Sequence, residues 1–122
     1  MSTCEVHWFS DDILEFVYRG RVTLEDLRAM VNETRRLTRE QTPRVQLVDT
    51  LAVTGVPKEI GAVLGELLED YRAQGGTWVV MIATDQMNAM LGRSMSFGAG
   101  VKLQLVGTRA DALRFISTLR DA

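Results

Sequence analysis

The chain has 122 residues, enough for one domain that buries roughly two thirds of its unfolded surface. With 46% hydrophobic and 25% charged residues it is globular rather than disordered, and a formal net charge of −2 gives no electrostatic case for binding nucleic acid or an anionic membrane. The single cysteine, Cys4, excludes an internal disulfide, and the single histidine, His7, excludes a histidine-built metal site.

In chain order, Glu5 to Phe9 and Ile13 to Tyr18 each alternate polar and apolar residues around Ser10-Asp11-Asp12, which predicts a hairpin with a tight polar turn. Alternation along this first strand accounts for both Cys4 and His7, whose C-x-x-H spacing supplies two metal ligands at best. Thr23 followed by Glu25 and Asp26 reads as an N-cap with an acidic first turn, and the helix behind it carries Leu24, Leu27, Met30, Val31 and Leu37 inward, ending near Arg39. Pro43 closes that helix, and Val45 to Val48 forms the next strand. That strand ends at Asp49, runs through a Thr/Gly loop from Thr50 to Gly55, and delivers the chain into a second helix at Pro57. Ile60, Val63, Leu64, Leu67, Leu68 and Tyr71 fall three and four apart, an apolar stripe that Gly75-Gly76 terminates.

Trp78 to Ala83 is apolar at every position, as a strand covered on both faces requires. It is the longest apolar run and far too short to cross a bilayer, and the N-terminus lacks the basic and apolar series of a signal peptide. The expectation is a cytoplasmic protein with no membrane insertion. Thr84 or Asp85 then caps a third helix containing Met87, Met90, Leu91 and Met95. Val101 to Val106 is the last strand, and Thr108 to Asp111 repeats the capping pattern before a final helix with Ala112, Leu113, Ile116 and Leu119 inward. Strand–helix–strand units force parallel strands joined by right-handed crossovers. The fold expected is α/β, in the order ββαβαβαβα, with a five-strand mixed sheet, about four helices, and one domain over residues 1–122.

In an open α/β sheet the carboxyl end of a central strand is where sites sit, which points to Asp49 through Pro57. Asp49 has two readings: orienting a ligand or partner, or accepting backbone N–H groups in its own loop. Thr50 and Thr54 are either phosphorylation sites beside a helix N-terminus or ordinary loop and cap residues. Gly61 and Gly65 permit either close approach of another helix or relief of crowding against the sheet. Met81, Met87, Met90 and Met95 suit either an adaptable pocket or plain core. Arg35, Arg36, Arg39 and Arg44 complement a helix C-terminus or offer a patch to an acidic partner. No Ser-His-Asp set, phosphate-binding loop or dinucleotide fingerprint is present, so no catalytic residue, cofactor or metal is expected.

Two opening strands, a helix and three strand–helix units resemble the order of STAS domains, the fold of the bacterial anti-sigma-factor antagonists. Leu47-Val48-Asp49 followed by Leu51-Ala52-Val53-Thr54-Gly55 is similar to that family's D-L-S-x-V segment after its third strand. Tyr71 to Gly76 followed by an apolar strand is similar to its helix-to-strand connection. Leu103 to Val106, followed by Ala110 to Ile116, resembles the variant subgroup that joins STAS to CRAL-TRIO lipid-binding domains, where a D/E-A-L-x-W-L helix follows a strand. The resemblance spans nearly the whole chain, and its specificity lies in the order of these segments. One departure is plain: where the antagonists open the second helix with a phosphorylatable serine, this chain has Pro57 or Lys58, depending on a one-residue offset.

The resemblance implies a non-catalytic regulatory module that binds another protein through Asp49, Thr50, Thr54, Gly55, Pro57 and Lys58 with the exposed face of the second helix. The alternative is a carrier of a lipid or other apolar molecule, with a cavity between the sheet and the third helix lined by Met87, Met90, Met95 and Phe97. Self-association into a homodimer is compatible with both.

Overall fold

The structure, a computed structural model, describes residues 2–84, 98 and 100–119. Its elements are β1 (Cys4–Trp8), β2 (Ile13–Arg21), α1 (Leu24–Leu37), β3 (Val45–Gly55), α2 (Ile60–Ala73), β4 (Trp78–Ile82), β5 (Lys102–Val106) and α3 (Arg109–Leu119). The five strands form one sheet in the order β1-β2-β3-β4-β5. The β1–β2 hairpin is antiparallel, from Cys4 opposite Tyr18 to Trp8 opposite Leu14, and every other pairing is parallel. Ile13, Val45, Trp78 and Lys102 lie in one row across the parallel part. The mixed five-strand sheet is therefore as expected. Three helices lie among the described residues, and the expected helix carrying Met87, Met90 and Met95 falls outside them.

Alternation divides each strand's side chains between two cores. Leu14, Phe16 and Tyr18 of β2 pack with Leu27, Met30 and Val31 of α1 and with Ile60, Val63 and Leu67 of α2. On the opposite face Ile13, Val45, Leu47, Val80 and Ile82 meet Ala112 and Ile116 of α3. Residues Val79 to Ile82 of β4 are all buried, as a doubly covered strand should be.

The helix ends follow their sequence signals. Thr23 caps α1 by accepting the Asp26 backbone N–H at 3.1 Å, and Thr108 accepts that of Asp111 at 3.1 Å. At the end of α2, the Gly76 N–H bonds the Tyr71 carbonyl at 2.8 Å and the Gly75 N–H bonds the Arg72 carbonyl at 2.9 Å, with Gly75 at φ +94°. This paired arrangement satisfies the last carbonyls of the helix and needs a left-handed residue at Gly75.

Three boundaries differ from expectation, one of them at β2, which runs on to Arg21 instead of ending at Tyr18. The segment read as a loop from Thr50 to Gly55 is the second half of β3, and α2 begins at Ile60 rather than Pro57. Thr50, Val53 and Thr54 are β-branched and favour extended backbone. They extend the ladder with β2, where Arg19 pairs with Ala52, Gly20 with Val53 and Arg21 with Gly55. The register shifts twice along this stretch, each time with an extra residue in β3, and such bulges disguise the alternation that marks a strand. Pro57 instead opens the turn before α2, its carbonyl accepting the Ile60 N–H at 3.1 Å.

Candidate functional site at the carboxyl end of the sheet

Beyond Asp49, β3 leaves β4 and continues beside β2 alone among the described strands, so residues 50–59 project past the body of the sheet. The expected site residues separate here into two groups. Asp49 and Thr50 are committed to structure. The Asp49 carboxylate accepts the Leu51 backbone N–H at 3.0 Å, steadying the bulge, and its other oxygen lies 3.7 Å from an Arg109 nitrogen. The buried Thr50 hydroxyl donates to the Ile82 carbonyl at 2.8 Å, replacing a rung of the ladder where β3 and β4 part. Thr54 and Lys58 are exposed, with Gly55 and Pro57 half-buried between them, so Thr54 presents the accessible hydroxyl of this stretch.

Two apolar residues that sequence reasoning passed over belong to this surface. Leu51 is 46% exposed and Val56 is 37% exposed. Val56 lines a small apolar cavity of about 40 Å³, whose walls also include Tyr18, Val22, Val53, Ile60 and Met81. The signal available in sequence was the pair of large aliphatic residues inside a Thr/Gly-rich stretch, where a solvated loop would hold polar ones. Tyr18 is buried in this wall, and burial, with a smaller contribution from Cys4, raises its hydroxyl far above the ordinary range, so it stays neutral.

A polar cluster on the α3 face of the sheet was also not foreseen. Glu15, only 4% exposed, sits between buried Leu14 and Phe16. One of its oxygens lies 2.7 Å from His7 Nε2 and the other 2.5 Å from an Arg109 nitrogen. An ionised carboxylate only accepts, so Nε2 carries the hydrogen. The Arg109 guanidinium also lies 5.3 Å from the centre of the Phe9 ring, and its bond to Glu15 raises its pKa further. One side chain at the start of α3 thus ties β2 and β3 together and reaches Phe9, just past the end of β1. A glutamate within an otherwise apolar alternation was the sequence clue, but its partner Arg109 lies near the other end of the chain.

Cys4 and His7 point to opposite faces of β1, Cys4 into the α1 core and His7 toward Glu15, so they cannot share a metal. Among the described residues no group of three or more His, Cys, Asp or Glu side chains is placed to hold a metal ion. Arg35 bonds Glu66 at 2.6 Å and Asp70 at 2.9 Å, Arg36 pairs with Glu33, and Arg44 bonds Asp12 at 2.8 Å, so most of the basic cluster is spent on local pairs. Met87, Met90, Met95 and Phe97 lie outside the described residues. Among those residues no helix is long and apolar enough to cross a membrane.

No protein-family model and no curated protein matches the chain. Solved structures do. A Shewanella loihica protein of the DUF3478 family with a SpoIIAA-like fold is 20% identical, with a TM-score of 0.68 over 92% of this chain and 90% of that one. An anti-sigma factor antagonist from Mycobacterium paratuberculosis is 16% identical, with a TM-score of 0.64 over 94% and 93%. The anti-sigma factor antagonist SpoIIAA in its unphosphorylated form is 6% identical, with a TM-score of 0.73 over 94% and 96%. At these identities the likeness concerns architecture, and the chain has the SpoIIAA-like fold, that of STAS domains.

Proposed function

We propose that this chain is a non-catalytic, cytoplasmic STAS-like regulatory module, one domain over residues 1–122, that acts by binding another protein. The binding surface is the projecting end of β3 with the turn that leads into α2: Leu51, Thr54, Gly55, Val56, Pro57 and Lys58. The observation that carries this reading is the exposure of two large aliphatic residues, Leu51 and Val56, the latter lining an apolar cavity, at the end of the sheet where sites collect. Asp49 and Thr50 support this surface from beneath, through the Leu51 N–H and the Ile82 carbonyl. Two of the structural neighbours are anti-sigma factor antagonists, which agrees with a regulatory role. Pro57 and Lys58 carry no phosphorylatable hydroxyl where the antagonists have their serine, so binding is constitutive or takes its input elsewhere. Thr54 is the hydroxyl best placed to receive a phosphate.

The test is a quantitative pull-down from the source organism with Leu51→Glu and Thr54→Glu, against Glu25→Lys and Arg36→Glu on the far side of α1. Loss of a common partner in the first pair alone supports the surface, and equal recovery by all four removes it. An apolar carrier would instead show a co-purifying mass of a few hundred daltons by native mass spectrometry. The cavity of about 40 Å³ beside Val56 is well below the several hundred Å³ of ligand pockets, so a carried molecule would have to sit elsewhere.

A further inference from the structure

The edge of the sheet formed by β1 is short and carries Glu5, but it has no proline, lysine or bulge to blunt it as natural edge strands often do. Its ladder with β2 runs without a register shift from Cys4 to Trp8, and the strand Cys4-Glu5-Val6-His7-Trp8 holds no proline and no lysine. The opposite edge, β5, begins with exposed Lys102.

The hydrogen-bonding register says which groups are open. The Phe9 N–H bonds the Ile13 carbonyl at 2.8 Å, and the Arg19 N–H bonds the Thr3 carbonyl at 2.9 Å. Antiparallel pairs alternate, so Thr3, Glu5, His7 and Phe9 face β2, whereas Cys4, Val6 and Trp8 direct their N–H and C=O groups outward. Ser2 confirms the direction at one end, where its hydroxyl donates to the Cys4 carbonyl at 2.7 Å and accepts the Cys4 N–H at 3.2 Å. Val6 and Trp8 have no such partner among the described residues.

We propose that two copies of this chain pair through β1, antiparallel about a two-fold axis at Val6, joining their sheets into one of ten strands. The side chains select this register, because sliding the pairing by two residues would set Glu5 against Glu5. With Val6 opposite Val6, Glu5 of each copy lies opposite His7 of the other, at a non-hydrogen-bonded position where side chains approach most closely. Both side chains are on the same face of the strand and about half exposed. Glu5 already receives Arg19 at 3.0 Å and His7 already donates to Glu15, so each enters the interface held in place. Val6 supplies the central pair of backbone bonds, and Trp8 bonds Cys4 of the other copy once the Ser2 hydroxyl moves aside. An isologous contact of this kind closes on itself and leaves no new edge at β1. Leu51 to Lys58 stays free, so this pairing and the proposed regulatory surface are independent.

The register can be tested directly. In light scattering the full chain should give a two-chain mass, and Val6→Pro, which removes an N–H that the β1–β2 ladder does not use, should halve it without changing the circular dichroism. In a Cys4→Ala background, Glu5→Cys chains mixed with His7→Cys chains should cross-link under mild oxidation, because a non-hydrogen-bonded pair suits disulfide geometry. Either variant alone should cross-link at least about tenfold less. The proposal fails if the full chain has a one-chain mass at its highest soluble concentration. It also fails if folded Val6→Pro keeps the two-chain mass, or if the mixture cross-links no better than its components; the cross-linking arm decides alone should Val6→Pro not fold.

Discussion

Gly76→Ala should be among the most damaging single-methyl changes in the molecule. A Cβ built on Gly76 would fall inside the Tyr71 ring, against Cε1, Cδ1 and Cζ, well under contact distance. The ring has nowhere to go: Tyr71 is 1% exposed, and its hydroxyl lies 3.0 Å from both the Arg44 and the Trp78 carbonyls, tying the starts of β3 and β4 to α2. Overpacking a buried site costs about 1–3 kcal/mol, and displacing the ring forfeits a hydrogen bond of about 1 kcal/mol, so a loss of about 3 kcal/mol is expected. For a chain of this size that is a fall of roughly 10 °C in Tm, measurable by circular dichroism together with urea unfolding. The cause is steric rather than conformational, because the left-handed residue at this helix end is Gly75. In a Tyr71→Leu background Gly76→Ala should therefore cost much less. A loss under about 1 kcal/mol in the wild-type background, or the same loss in both backgrounds, would refute the argument.

Arg109→Ala should destabilise by about 2 kcal/mol, less than for a fully buried pair because Arg109 is partly exposed; adding Glu15→Gln should recover part of the loss. No recovery in urea unfolding of the double variant would mean that Glu15 does not need its cation. Thr50→Val should cost about 1 kcal/mol by removing the bond to Ile82 while leaving partner recovery unchanged, and a loss of binding at full stability would place Thr50 in the interface. Alkali should unfold the protein progressively. Burial raises Cys4 from 9.0 to about 11 and Tyr71 from 10.0 to about 12, so each favours folding fully below its ordinary value and loses that contribution as pH climbs through the raised one. Urea midpoints that stay flat between pH 9 and 12 would contradict this.

Much of the architecture was legible because it depends on local chemistry. The threonines at 23 and 108 cap helices with their own hydroxyls, Gly75 and Gly76 end α2 through backbone geometry, and the unbroken apolar run in β4 reports burial on both faces. The second half of β3 was not legible because its support comes from β2, more than thirty residues earlier, and because two bulges break its alternation. The site suffered accordingly. Asp49 and Thr50 were singled out for their chemistry, yet their side chains hold the bulge and the gap to β4, whereas Leu51 and Val56 become prominent only once the segment is known to project. Glu15 and Arg109 are unremarkable residues until the fold sets them against each other.

The narrowing of the sheet past Asp49 has a consequence for how this protein moves. Val45 to Asp49 bond strands on both sides, but among the described strands Ala52 to Gly55 bond only β2, and a two-stranded ribbon is marginal on its own in water. Amide hydrogen exchange should therefore grade steeply along this single strand: slowest at Leu47, limited there by global unfolding, and faster from Ala52 onward through local opening. The tip of β3 can thus open and reclose while the core stays intact, which leaves a partner a deformable edge to reshape at little expense to the rest of the fold.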